Sequence, residues 1–107
     1  MTVGIISNGN QTVSAIGSIY TLASVLTPGS FQLALDVTQM QLGDEIEVRV
    51  YLTVAGNERL AYIGDLTNQQ LETLELTPVM VSPTSWRATL QQTAGTPRDF
   101  PWEIWAM

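Results

Sequence analysis

The chain has 107 residues, ten acidic and four basic, for a net charge of −6. That size suits one domain with a single core, and the charge is a poor match for nucleic acid, which rewards clustered cations. Histidine, cysteine and lysine are absent, which excludes imidazole and thiolate metal sites, disulfides, thiol and Ser–His nucleophiles, Schiff bases and a phosphate-loop lysine.

In chain order, the first ten residues are rich in Gly and Asn around a small apolar cluster, Val3-Gly4-Ile5-Ile6. They have no basic start and no long apolar run, so no signal peptide is expected and synthesis in the cytoplasm is. Residues 1–11 read as an N-terminal arm that orders only against something else. Residues 12–107 read as one domain. No apolar run approaches the roughly 20 residues of a membrane span. Asn10-Gln11-Thr12 matches a glycosylation sequon, a chance match without a secretory route.

From there the hydrophobic period is two. Phe31, Leu33, Leu35 and Val37 alternate with polar or small residues, as do Ile46, Val48, Val50, Leu52 and Val54. Trp86, Ala88 and Leu90 repeat the pattern, and so do Phe100, Trp102, Ile104 and Ala106. Such alternation marks strands with one buried face. Strands are expected at 12–16, 18–26, 31–38, 45–54, 59–64, 72–81, 85–92 and 99–106. Breakers separate them, among them Thr27-Pro28-Gly29-Ser30, Ala55-Gly56-Asn57 and Ala94-Gly95-Thr96-Pro97. One short segment, 66–72, is either a helical turn or a loop. Seven or eight short strands predict an all-β, antiparallel, jelly-roll-like β-sandwich, with a closed barrel as the alternative.

The sequence offers little chemistry. Asp44, Glu45 and Glu47 form the densest acidic group, and Glu45 and Glu47 share a strand face with Arg49. That pattern reads as a solvated, ion-paired face. Asp65 with Asn68, or Asn8 with Asn10, is too sparse for a calcium loop. No catalytic residue, cofactor site or metal site is assigned. Trp86 and Trp102 fall in phase with the core. Trp105 falls on the opposite face of the last strand with Glu103 and Met107, where an exposed Trp suits a contact surface. Tyr20, Tyr51 and Tyr62 are candidates for a sugar-binding platform.

The C-terminal stretch carries a more specific signature. Ser85-Trp86-Arg87-Ala88-Thr89-Leu90-Gln91-Gln92-Thr93-Ala94-Gly95-Thr96-Pro97-Arg98-Asp99-Phe100-Pro101-Trp102-Glu103-Ile104-Trp105 resembles a family of small virion proteins of tailed bacteriophages. Its members show a strand ending in Gln-Thr-Ala-Gly-Thr, then an Arg, then an aromatic–Pro–Trp strand. The resemblance spans residues 14–107. Pro97 replaces a usual Gly, and the last strand is less basic than in the family. The turn at Gly95 and the position of Arg98, over a Trp or beside a carboxylate, also make sense as structure alone.

The resemblance implies a β-sandwich virion component, most simply a capsid decoration (cement) protein on the outer face of the shell. Its partners would be the major capsid protein of the same virion and further copies of itself, without nucleic acid or membrane. Contact residues are expected at Val3, Ile5, Ile6, Trp105 and Met107. A tail-associated carbohydrate-binding module and a head–tail or tail-tube component are the alternatives.

Overall fold

A computed structural model describes residues 4–107. It contains nine strands: β1 (Gly4–Thr12), β2 (Ile19–Val25), β3 (Gly29–Asp36), β4 (Glu45–Val54), β5 (Asn57–Thr67), β6 (Leu74–Leu76), β7 (Met80–Ser82), β8 (Trp86–Ala94) and β9 (Asp99–Ala106). They form two antiparallel sheets, ordered β1-β9-β3-β6, with β7 also on β3, and β2-β8-β4-β5.

The pairing is nested. β1 pairs β9, β2 pairs β8, β3 pairs β6 and β7, and β4 pairs β5. The chain is thus one long hairpin with its tip at the β4–β5 turn. Rolling that hairpin up brings β9 against β3 and β8 against β4. This is the jelly roll, with β6 and β7 together filling one strand position. At the tip, Ala55 (φ 51°) and Gly56 (φ 79°) both take the left-handed conformation that a two-residue hairpin twisted like its strands requires.

The alternating residues meet between the sheets. Leu33, Leu35, Val50, Trp86, Ala88, Leu90, Phe100 and Ile104 have no exposed surface. Phe31 lies edge-tilted on Trp86, with ring centres 6.0 Å apart. Trp102 packs against this core from its rim.

Three elements differ from the sequence expectation, and the segment 66–72 settles on one of its two alternatives. Residues 4–11, read as part of an arm, lie in β1, which runs in continuous register with β9 from Ser7↔Ile104 to Thr12↔Asp99. Gly and Asn disfavour strands by themselves, yet Gly9 sits opposite Trp102, where a Cβ would lie 3.0 Å from the indole. Residues 13–18 form a loop instead of a strand, because the Tyr20 hydroxyl accepts from Ser14 N–H (3.0 Å) and Ala15 N–H (3.3 Å). The segment 66–72 takes the loop reading beyond Thr67, where β5 ends, and Asn68 turns the chain at φ 64° while donating to Asp44 C=O at 2.8 Å. The strand expected over 72–81 is split by Thr77-Pro78. Pro78 has no N–H to donate, and the Thr77 hydroxyl accepts from Leu33 N–H in place of a strand carbonyl.

Candidate docking face

Cross-strand partners share a sheet face, so the register shows what each outer face presents. On β1-β9-β3-β6, one row holds Ile5, Trp105 and Gln32; the next holds Asn8, Glu103, Ala34 and Leu76. Leu74 and Asp36 follow as a pair, and Pro101 lies on the same face by alternation. Val81, opposite Ser30, extends the face toward the chain end. Ile5 is 57% exposed, Leu74 46%, Leu76 44% and Val81 70%. Ala34, Asp36, Leu74, Pro101, Glu103 and Trp105 border a shallow hollow of about 310 Å³. Trp105 is half-buried, and its indole N–H donates to Glu103 Oε1 at 2.9 Å. That bond fixes the ring and occupies the polar end of the Trp.

The opposite sheet differs in kind. Its central strands β4 and β8 present Glu47, Arg49, Tyr51, Arg87, Thr89 and Gln91. Glu47 and Arg49 are ion-paired. Arg87 holds Glu58 with two bonds, of 2.9 and 2.6 Å, and lies 4.4 Å above the Tyr51 ring. These charges neutralise one another in water. All four arginines lie outside the outer face of β1-β9-β3-β6, whose charged groups, Asp36, Asp99 and Glu103, are acidic. The first face therefore centres on Trp105 and Ile5 with no cation, whereas the second centres on paired charges and carries its exposed apolar residues, Ile19, Leu60 and Ile63, on its edge strands β2 and β5.

The five contact residues named from sequence divide among three places. Ile5 and Trp105 are direct cross-strand partners on the apolar face. Ile6 is the extra residue where the register shifts between Ile5 and Ser7. It lines, with Met107 and the β2–β3 turn, a cleft of about 570 Å³ at one end of the sandwich. Val3 lies outside the described residues. Leu74, Leu76 and Val81 were missed. Their signal was an out-of-phase apolar residue on a segment that the Thr77-Pro78 break obscures.

The three tyrosines do not converge. Tyr20 and Tyr62 pack against the core from their rims, and Tyr51 is on the outer face beneath Arg87. Burial, reinforced by the nearby Glu75 carboxylate, raises the Tyr62 hydroxyl above its ordinary range. No group of acidic side chains able to hold a metal occurs among the described residues.

The acidic group and the C-terminal signature form a single clasp. Asp44, 1% exposed, accepts from Gln41 N–H (2.9 Å), Thr96 N–H (3.0 Å) and Arg98 Nε (2.8 Å). Gly95 (φ 95°) passes so close that a Cβ there would lie 2.6 Å from the Asp44 Cα. Gln92, fully buried, donates to Ala94 C=O (3.1 Å) and Thr96 C=O (2.7 Å) and accepts from Arg98 N–H (3.2 Å). Burial pushes the Asp44 carboxyl up, but the Gln41 and Thr96 amides and the Arg98 guanidinium outweigh it and hold it below the ordinary carboxylate range. The motif that carries the sequence resemblance is thus a device that closes the β8–β9 turn onto the β3–β4 loop.

No protein family and no curated protein matches the chain. Among solved structures it is similar in fold to a chain of infectious bursal disease virus, Gx strain, at 19% identity and a TM-score of 0.51. It is also similar to a chain of the VP2 subviral particle of infectious bursal disease virus, at 14% identity and a TM-score of 0.52. The alignments cover 98% of this chain and 32% and 31% of those chains. This chain therefore spans about a third of the proteins it resembles.

Proposed function

We propose that the chain is a structural virion protein that decorates a capsid, in keeping with the phage-like C-terminal signature. The outer face of β1-β9-β3-β6 docks on the major capsid protein, and the β2-β8-β4-β5 sheet faces water. The observation that carries this reading is the contrast between the centres of the two faces, Trp105 beside exposed Ile5 on one and the ion-paired Arg49 and Arg87 on the other. Ile5, Trp105, Leu74, Leu76 and Val81 give this face apolar surface around a central Trp, of the kind that marks interaction sites. The similarity in fold to chains of a virus and of its subviral particle supports the same setting. Binding that requires the assembled shell would stabilise that shell by mass action. The Trp105–Glu103 pair is the natural centre of the contact, an aromatic anchor with its N–H already satisfied.

Binding of Trp105→Ala to shells lacking the protein tests this. Loss of a central Trp costs about 2 kcal/mol or more, roughly a 30-fold weaker occupancy constant. Unchanged occupancy would contradict the reading.

A further inference from the structure

We infer that two copies of this chain pair through β1 to form an antiparallel dimer with one continuous sheet. β1 is an edge strand, with β9 on one side only. Edges are normally blunted by charge, proline, brevity or bulges. β5 carries Glu58, Arg59 and Asp65, and β6 and β7 are three-residue pieces parted by Pro78. β2 is broken in mid-strand by the irregularity between Thr21 and Ala23. β1 alone offers an unbroken, uncharged run, from Ser7 to Thr12.

The alternation of the ladder identifies the free groups. Val13 N–H bonds Arg98 C=O in the direction of β9. Gln11, Gly9 and Ser7 therefore turn their backbone groups to β9, and Thr12, Asn10 and Asn8 turn theirs to the open edge. Consistent with this, Thr12 C=O accepts from the side chain of its neighbour Gln11 at 3.1 Å.

The occupant is a second copy because this array is symmetric about Asn10. A twofold axis there sets Asn10 opposite Asn10 and Asn8 opposite Thr12, giving roughly six backbone hydrogen bonds. The facing side chains are uncharged, so a chain of net charge −6 meets itself with no carboxylate opposite its own image. The axis runs perpendicular to the sheet, so the two Trp105 faces come to lie side by side. Where the docking face is used, its two copies then bind together and gain avidity. The dimer itself does not depend on the virion reading.

Sedimentation velocity over a concentration series, with residue-resolved amide hydrogen exchange, tests the pairing. A concentration-dependent dimer is expected, in which Asn8, Asn10 and Thr12 amides gain protection. Ser7, Gly9 and Gln11 stay protected at every concentration. Asn10→Pro removes an edge donor and no bond to β9, and should weaken the dimer at least tenfold. Asn10→Asp sets two carboxylates face to face, and should weaken it at low salt and restore it at high salt. A monomer at all concentrations would overturn the proposal. So would a dimer that leaves these three amides unprotected, or one indifferent to Asn10→Asp at low salt. None of these failures touches the occupancy of Trp105 variants on shells.

Discussion

Asp44→Ala should remove a large part of the stability of this domain. The carboxylate accepts three hydrogen bonds while 1% exposed, one from a guanidinium whose side chain is 27% exposed. Breaking a buried, hydrogen-bonded ion pair costs about 3–5 kcal/mol. Arg98 can rehydrate in part, which places the expected loss at about 3–4 kcal/mol. For a domain near 100 residues, each kcal/mol moves the midpoint by about 4–8 °C, so the melting temperature should fall by roughly 15–25 °C at pH 7. Calorimetry or circular dichroism reads this directly. The pH dependence has a definite sign. The folded carboxyl titrates below its ordinary value of 3.8. Its contribution is therefore complete above that value and is lost as the pH falls through the folded one. The gap between wild type and Asp44→Ala should narrow in acid, below about pH 4. In an Arg98→Leu background the same substitution should cost less, with a coupling of about 1–3 kcal/mol. A loss under about 1 kcal/mol at pH 7, or a gap that is constant into acid, would refute the clasp as a stabilising unit.

Three further substitutions test neighbouring parts of the account. Gly95→Ala meets both a left-handed φ and the Asp44 backbone, and denaturant titration should show a loss of about 2–4 kcal/mol. Ala55→Asn, at φ 51° before Gly56, supplies the residue that this hairpin turn favours and should raise stability by about 0.5–1 kcal/mol in the same assay. Arg87→Ala removes an exposed pair with Glu58, whose carboxyl the Arg87 hydrogen bonds hold below its ordinary range. Water screens that pair, so the share of the cost that depends on Glu58 should stay under about 1 kcal/mol, shrink in salt, and be lost as the pH falls through the Glu58 titration, leaving the loss of the Arg87 contact with the Tyr51 ring.

The sheet content of the sequence was legible because most of the strands are buried on one face and wet on the other. Ile46 to Val54 and Trp86 to Leu90 record that alternation residue by residue, and β4 and β9 lie where it puts them. β1 was illegible for a physical reason. Its strand state comes from pairing with β9 and from the fit of Gly9 to Trp102, neither of which is a local property. The loop over 13–18 was misread because a side chain, Tyr20, satisfies backbone groups that a strand would otherwise use. On the outer face of β1-β9-β3-β6, Trp105 was readable from its phase on β9. Leu74 and Leu76 were not, because a Pro-split edge strand is too short to show a period. The Asp44 clasp joins residues about 50 positions apart, and sequence spacing alone does not bring Asp44 to Arg98.

The central claim is that the β1-β9-β3-β6 sheet is the surface that binds a capsid. A cryo-EM map of the particle that carries this chain, with the chain traced into it, tests that most directly. The account predicts many copies spread over the shell, with Trp105 and Ile5 buried against capsid protein and Arg87 and Tyr51 facing solvent. Copies confined to a ring or fibre at the tail, or copies seated on the shell through the β2-β8-β4-β5 sheet, would contradict it.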